Sequence, residues 1–114
     1  MLKTGYFHIV VQESDTASHL SLMGEFDLAA VGPVENALDR LFQAPRTRRV
    51  VFDLRRLTFL DAAGLRAILR ANERARAAAL ELILVRSRGP VNRVFTLTRM
   101  SKELCMVDEP ELTA

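Results

Sequence analysis

The chain has 114 residues and a formal net charge of +2, and 49% of its residues are hydrophobic and 26% charged. This length is enough for one domain that buries roughly two thirds of the surface of its unfolded chain, and the small net charge gives no support to nucleic-acid binding. We therefore expect a single domain over residues 1–114, with a core from about residue 6 to residue 107 and a tail over 108–114.

Cysteine content and the N-terminal sequence indicate a reducing compartment. Cys105 is the only cysteine, so an internal disulfide is excluded. Its apolar neighbours on both sides predict a small buried side chain rather than a reactive thiol. The first ten residues lack the apolar core of a signal peptide, and no apolar run approaches the ~18 residues that cross a bilayer. We expect a cytoplasmic protein that does not insert into a membrane.

The beginning of the chain predicts two strands. Residues 6–12 are rich in isoleucine, valine and aromatic residues, and a cluster of turn-forming residues follows at 13–16. Residues 19–24 alternate in polarity, with Leu20 and Leu22 on one face. Two strands joined by a short polar loop predict an antiparallel hairpin.

The segment after this hairpin predicts a first helix that ends near Gln43. Pro33 falls in its first turn, where a missing N–H group is harmless, and Pro45 disfavours helix in the residues before it. The apolar residues with helical spacing are Val31, Val34, Leu38, Leu41 and Phe42.

The centre of the chain predicts a buried strand followed by an amphipathic helix. Residues 50–54 include two valines and a phenylalanine, which favour a buried strand. Arg55-Arg56 end the run, and 57–60 are expected to be a connector. Asp61 has the carboxylate that an N-cap needs, so the helix should begin at Ala62 or Ala63. The predicted apolar face consists of Leu65, Ile68, Leu69, Asn72, Ala75 and Ala79. The outward residues include Arg66, Arg70 and Arg74, a stripe that is either solvated or faces an acidic partner.

The last third of the chain predicts one more buried strand and a third helix. The strand covers residues 80–85, and 87–90 interrupt the pattern. The inner face of the helix consists of Val91, Val94, Phe95 and Thr98. Residues 100–107 predict a last strand or a short helix.

The element order β-β-α-β-α-β-α predicts an α/β fold with a mixed sheet, in which an antiparallel hairpin joins parallel strands and three or more helices pack on them. The carboxyl ends of parallel strands share one edge, where ligand and partner sites gather. Asp27 and Asp61 each follow a strand and precede a helix, so both should lie at this edge. Each carboxylate either only caps its helix or also contacts a partner.

Catalytic machinery is missing from the sequence pattern. His8 and His19 lie on predicted strands, away from any nucleophile or carboxylate cluster, and a structural role is expected for both. The five glycines are isolated, so no glycine-rich phosphate loop is present. We expect a protein that is not an enzyme and that uses no cofactor and no metal.

Two short motifs identify a family. Gly24-Glu25-Phe26-Asp27 and Asp61-Ala62-Ala63-Gly64-Leu65 resemble the STAS domain of bacterial anti-sigma factor antagonists, whose usual forms are Gly-Glu-Leu-Asp and Asp-Ser-Ser-Gly-Leu. The resemblance covers about residues 6–107. In the family a glycine often ends the third helix in a left-handed conformation, and Arg99 is the nearest candidate for that position here. It implies a protein that binds an anti-sigma factor, a serine-kinase-type protein with a histidine-kinase-like ATPase fold, and so releases a sigma factor. The partner-binding residues that it implies are Asp27, Asp61, Ala62, Ala63, Gly64, Leu65 and Arg66.

The chain departs from this family at its switch. In typical members the partner kinase phosphorylates the first serine of the second motif, and Ala62 stands there in this sequence. The resemblance therefore implies an antagonist that cannot be phosphorylated at the usual site. Thr58 is an alternative acceptor, and Ala62 is either natural or a deliberate substitution.

Other functions and assemblies stay open at this stage. The protein could instead be an accessory STAS subunit of a lipid-transport ATPase or of a larger sensory assembly, where no phosphoserine is needed. Direct binding of a small ligand and a weak homodimer are further alternatives. The identities of the anti-sigma and sigma factors do not follow from the sequence.

Overall fold

The computed structural model of the protein describes residues 6–14, 16–44 and 46–109. Expectations for the first five residues, for positions 15 and 45, and for residues 110–114 of the expected tail fall outside these ranges. In chain order the elements are β1 (Phe7–Glu13), β2 (Ala17–Phe26), α1 (Leu28–Gln43), β3 (Arg49–Leu60), α2 (Ala62–Ala77), β4 (Glu81–Val85), α3 (Pro90–Thr98), a short 3₁₀ helix (Met100–Lys102) and β5 (Cys105–Val107).

The five strands form one sheet in the order β1-β2-β3-β4-β5. β1 and β2 pair antiparallel as a hairpin, and each later neighbour pairs parallel. The predicted mixed sheet with three helices is therefore confirmed. The segment after α3 contains both of the structures that the sequence left open, a single 3₁₀ turn and then a short strand.

The helices pack on one face of the sheet and form the main core with it. Alternate residues of β2 point into this core, where Leu20, Leu22 and Phe26 are fully buried. They meet residues from β3 and all three helices, among them Phe52, Val34, Leu38, Ile68 and Phe95. The opposite sheet face carries a smaller apolar cluster of Val51, Ile83 and Val85, against which Val107 packs.

β3 is longer than predicted, since residues 57–60 belong to the strand and are not a connector. Register shifts lie between β2 residues Ser21 and Met23 and between Gly24 and Glu25, and at each shift β3 contains an extra residue. Such β-bulges interrupt the alternation of side chains between the two faces. The exposed pair Arg55-Arg56 therefore lies at a bulge within the strand and does not end it.

The arginine stripe of α2 is mostly paired within the chain. Nη2 of Arg70 lies 3.2 Å from Oε2 of Glu35, and Nη2 of Arg74 lies 2.6 Å from Oδ1 of Asp39. Both acids belong to α1. The guanidinium of Arg74 also lies 4.9 Å from the ring centre of Phe42. These exposed pairs contribute little to stability, typically less than about 1 kcal/mol each, but they account for the arginines without an external acidic partner.

The prediction that Cys105 is buried was wrong, because the cysteine is exposed on β5. Neighbouring residues of a strand point to opposite faces. Leu104, the residue before β5, is buried, and Met106 is half-buried. Apolar neighbours along the chain therefore do not predict burial for a strand residue.

The end of α2 also differs from the expected pattern. Ala79, predicted on the inner face of the helix, lies beyond its end with a φ of 58°. The N–H groups of Ala79 and Leu80 donate to the carbonyls of Arg76 and Ala75 at 3.1 and 2.8 Å. These two bonds close a Schellman motif, whose left-handed position favours glycine. Arg99 is left-handed too, with a φ of 61°, as the sequence predicted.

Replacing Ala79 by glycine is expected to stabilise the protein by about 1 kcal/mol, because it removes the cost of a left-handed alanine. The thermal midpoint should rise by roughly 3–6 °C. Ala77→Gly is the matched control, since Ala77 is the last helical residue of α2 and glycine there should destabilise by about 0.5–1 kcal/mol. A lower midpoint for Ala79→Gly in differential scanning calorimetry would contradict the assignment of this cap.

Candidate functional site

The two family motifs meet at the carboxyl edge of the sheet. Phe26 at the end of β2 pairs with Leu60 at the end of β3, and Asp27 and Asp61 follow them directly. β1 runs antiparallel, so its first residues reach the same edge, where the carbonyl of Tyr6 accepts a hydrogen bond from the N–H of Glu25 at 2.8 Å. We call this region the carboxyl edge; it comprises residues 25–28 and 59–66 together with Tyr6.

Both aspartates cap helices, as the sequence predicted. An Asp27 side-chain oxygen accepts from the N–H of Ala29 at 3.0 Å, and an Asp61 oxygen accepts from the N–H of Gly64 at 2.9 Å. Each cap satisfies an N–H group that the first turn of a helix leaves without an intrahelical partner. Because Phe26 and Leu60 are paired neighbours in the sheet, the capped helices α1 and α2 begin at adjacent strand ends.

Gly64 sets how closely α2 approaches the sheet. A Cβ atom at this position would lie 2.5 Å from the Phe26 carbonyl oxygen and 2.7 Å from Cδ1 of Leu60. Real Cβ atoms are not found so close to a backbone oxygen, so a larger residue would push the first turn of α2 outward. The glycine thus brings Ala62 and Ala63 close to the end of β2.

The structure separates the predicted partner-binding residues by their exposure. Ala62 and Arg66 are exposed, Asp27, Asp61 and Ala63 are half-buried, and Gly64 and Leu65 are buried. The last two belong to the helix-packing interior and support the turn from beneath. Of the predicted residues, the two aspartates, the two alanines and Arg66 therefore have atoms that reach the surface.

Sequence reasoning missed three exposed apolar side chains at the same edge. Leu28, the first residue of α1, is 73% exposed, and Tyr6 and Phe59 are 58% and 46% exposed. Phe59 was assigned to a connector, and the bulged register of β3 turns it outward. The only sequence signal was a leucine placed directly after the capping Asp27, outside the apolar repeat of α1. Exposed apolar side chains grouped at one edge are typical of an interaction surface.

A shallow groove of about 350 Å³ continues this surface between β1 and α1. Phe7, His8 and Ile9 line it from β1, and Asp27 and Pro33 line it from the start of α1. His8 is exposed and its ring lies 5.2 Å from that of Tyr6. The groove gives a partner side chain a place to insert beside the capping aspartate.

A second polar cluster lies away from this edge, on the sheet face opposite the helices. The Asp53 carboxylate accepts from Nε and Nη2 of Arg55 at 2.9 and 2.7 Å, from the Arg55 backbone N–H at 3.1 Å, and pairs with Nε2 of His19 at 3.2 Å. Burial by itself would raise the pKa of the Asp53 carboxyl, but the bonds from Arg55 and His19 outweigh it and hold that pKa below its ordinary value. The sequence predicted a buried strand at Asp53 but no role for its carboxylate.

Removing the Asp53 carboxylate is expected to destabilise the protein in a pH-dependent way. Because the pKa of Asp53 is lower in the folded protein, its carboxylate stabilises the fold at pH values above the unfolded-state pKa of about 3.9. This stabilisation is lost as the pH falls through the folded-state pKa. Asp53→Asn should therefore lower the free energy of unfolding at pH 7 by about 1–3 kcal/mol, and by less near pH ~3.

Urea denaturation at both pH values measures the Asp53→Asn effect. Asp39→Asn is the control, because Asp39 is exposed in its pair with Arg74 and its loss should change stability by less than about 1 kcal/mol. An Asp53→Asn effect of the same size at both pH values would contradict the stated role of the carboxylate.

Within residues 6–14, 16–44 and 46–109, no group of three or more His, Cys, Asp or Glu side chains is arranged to hold a metal ion. Among the helices that the structure describes, none is both long and apolar enough to cross a membrane.

Comparisons with known proteins agree with the fold. A family model described as "STAS domain" matches residues 8–112. An anti-sigma factor antagonist from Mycobacterium paratuberculosis superposes with a TM-score of 0.76 at 26% identity, over 94% of this chain and 88% of the other. The antagonist SpoIIAA in its unphosphorylated form superposes with a TM-score of 0.76 at 22% identity, over 93% of this chain and 90% of the other. SpoIIAA from Bacillus in its phosphorylated form superposes with a TM-score of 0.70 at 21% identity, over 93% of each chain. No curated protein gives a significant match in sequence.

Proposed function

The chain belongs to the STAS-domain family, and from that premise we propose that it is an anti-sigma factor antagonist. In this proposal it binds an anti-sigma factor with a histidine-kinase-like ATPase fold and thereby releases a sigma factor for transcription. The role is that of a single-domain, non-enzymatic binding protein of the cytoplasm. Its binding surface is the carboxyl edge.

The observation that carries the proposal is the exposed first turn of α2. Ala62 is exposed directly after the capping Asp61, and Gly64 holds this turn against the end of β2, next to Asp27. The two motifs that resemble the family thus contribute to one continuous surface, although 34 positions separate the two aspartates in the chain (61 − 27). A partner that docks there contacts residues of both motifs.

Exposed apolar side chains give this surface its binding energy. Protein interfaces gain most of their affinity from a few central, well-buried apolar or aromatic side chains surrounded by polar groups. Leu28 and Phe59 are the candidates here, since both are large, apolar and exposed beside the capped turns. We assign them the central contacts and assign Asp27, Asp61 and Arg66 the polar surroundings.

The covalent switch of the family is missing from this surface. Alanine has no hydroxyl group, so Ala62 cannot accept a phosphate. Thr58 is exposed on β3, but it lies within a strand and not at a helix N-terminus, where free N–H groups would hold a phosphate. The proposed antagonist is therefore constitutively able to bind and is not released by phosphorylation at this turn.

The test is binding to the anti-sigma factor of the same cell, with and without a restored hydroxyl group. In the presence of ATP the unmodified chain should bind in isothermal titration calorimetry and stay unphosphorylated at residue 62 by mass spectrometry. Ala62→Ser should be phosphorylated by the partner, and its affinity should then fall by roughly tenfold or more.

Ala77→Ser is the matched control for this test, because it places a hydroxyl group at an exposed position at the far end of α2. It should be neither phosphorylated nor impaired in binding. If the unmodified chain binds no anti-sigma factor in the presence of nucleotide, the proposed function is wrong.

The alanine at position 62 also favours a second function. An accessory STAS subunit of a lipid-transport ATPase or of a sensory assembly needs no phosphoserine, so Ala62 would be tolerated there. Affinity purification of the tagged chain from its own cells separates the two functions. Recovery of an anti-sigma kinase supports the antagonist, whereas recovery of a transporter or scaffold subunit supports the accessory role.

A further inference from the structure

A groove of about 500 Å³ lies on the sheet face opposite the helices. The core residues Leu20 and Leu22 point toward the helices, so the alternate residues His19 and Ser21 point to this other face. The polar residues that line the groove are Gln12, His19, Ser21, Asp53, Arg55 and Arg56. We call it the open-face groove. It plays no part in the proposed anti-sigma binding.

Asp53 holds the polar side chains of the groove in place, although only 7% of its own surface is exposed. Its two oxygens are engaged by three groups of Arg55 and by the His19 ring. A carboxylate so fully engaged has little capacity left for a ligand. Its effect is to hold the Arg55 guanidinium and the His19 ring in one orientation toward the groove.

The cations of the groove have hydrogen-bonding capacity to spare. Arg55 uses Nε and Nη2 on Asp53, and a guanidinium carries five N–H groups in total, so about three stay available to a ligand. Its side chain is 48% exposed. Arg56 approaches the Met23 sulfur at 3.9 Å, a weak contact. Two arginines against one carboxylate leave the groove with net positive charge.

These features match one ligand chemistry. A fixed guanidinium with free N–H groups is suited to the paired oxygens of a phosphate, and holding it in place in advance lowers the entropic cost of binding. The Ser21 hydroxyl and the Gln12 amide add neutral donors on the neighbouring strands. We propose that the open-face groove binds the phosphate group of a small soluble molecule.

The experiment is a titration of the whole chain with inorganic phosphate and with pyrophosphate at constant ionic strength, followed by ¹H–¹⁵N correlation spectra. Saturable shifts are expected at Ser21 and Arg55, and they should be stronger for pyrophosphate. Arg55→Gln should raise the dissociation constant by roughly tenfold or more.

Two further variants distinguish a loss of phosphate binding from a change in folding. Arg56→Gln leaves the bonds between Asp53 and Arg55 intact and should still weaken binding by roughly threefold or more. Arg93→Gln is the matched control, because Arg93 is exposed on α3, on the helix side of the sheet; it should leave the dissociation constant within about twofold. Linear shifts without saturation, or equal losses for Arg56→Gln and Arg93→Gln, would overturn the proposal.

A lipid headgroup is the other source of a phosphate, and co-sedimentation with vesicles distinguishes the two. The protein should stay in the supernatant with vesicles of phosphatidylcholine alone and also with vesicles that contain phosphatidic acid. Sedimentation that depends on phosphatidic acid and on Arg55 would overturn the soluble ligand in favour of a membrane one. Because the groove and the carboxyl edge are separate, failure of phosphate binding leaves anti-sigma binding unaffected, and the reverse also holds.

Discussion

Ala62→Glu is expected to lower the affinity of the chain for its anti-sigma factor by about 100-fold or more, which corresponds to roughly 3 kcal/mol. Ala62 is exposed at the first position of α2, between the half-buried Asp27 and Asp61 and the exposed Arg66. A third carboxylate in this surface would have to lose water on binding and would repel any acidic group of the partner.

The same substitution should leave the fold intact. A carboxylate in the first turn of a helix is favoured by the helix dipole, typically by about 0.3–1 kcal/mol. Binding and stability should therefore change in different directions, and titration calorimetry together with thermal denaturation measures both. This separation distinguishes a damaged surface from a damaged protein.

Ala77→Glu is the control for the change in net charge. It adds the same carboxylate at an exposed position at the other end of α2, and its affinity should stay within about threefold of the unmodified chain. Equal losses for the two variants would point to long-range charge rather than to contact at residue 62. Unchanged affinity for Ala62→Glu would place the partner elsewhere on the molecule.

Gly24→Ala is expected to lower the free energy of unfolding by about 3 kcal/mol, the sum of backbone strain and steric overlap. Gly24 has a φ of 95°, a conformation that side chains other than glycine rarely adopt, and a Cβ atom there would collide with the carbonyl oxygen of Tyr6. That carbonyl accepts a hydrogen bond from the N–H of Glu25. The substitution should therefore separate the start of β1 from β2 and weaken the carboxyl edge.

Gly32→Ala is the matched control, because Gly32 lies inside α1 and no heavy atom outside its own helix lies within 4 Å of an added Cβ. Alanine there should stabilise the protein by up to about 1 kcal/mol. Urea denaturation of both variants measures the contrast. A loss of less than about 1 kcal/mol for Gly24→Ala would show that the hairpin adapts to the side chain.

The elements that local chemistry specifies were predicted from the sequence. Asp27 and Asp61 cap α1 and α2 as expected, because an aspartate before a helical repeat can satisfy the free N–H groups of the first turn. The order of strands and helices sufficed for the mixed sheet, since parallel strands need long crossovers and a hairpin needs a short loop. The left-handed Arg99 was expected from the family resemblance, since family members often have a glycine at this position.

Interruptions of the local pattern were not predicted. The bulges of β3 turn both Arg55-Arg56 and the pair Thr58-Phe59 outward, so periodicity suggested a strand end and a connector. Ala79 belongs to an alanine-rich run that favours helix. It is nevertheless left-handed, because the chain must turn there from the end of α2 into β4. In both cases the neighbouring elements overrode the local preference.

The sequence by itself determined the family, the sheet, the capped turns and the absence of a hydroxyl group at position 62, because each depends on residue types at short spacing. Tertiary structure alone decided which side chains of those elements meet across the chain and which reach solvent. It exposed Leu28 and Phe59 at the carboxyl edge and brought His19 to Asp53, 34 positions away. Such contacts depend on register between strands, and register is set by the packing of the whole sheet.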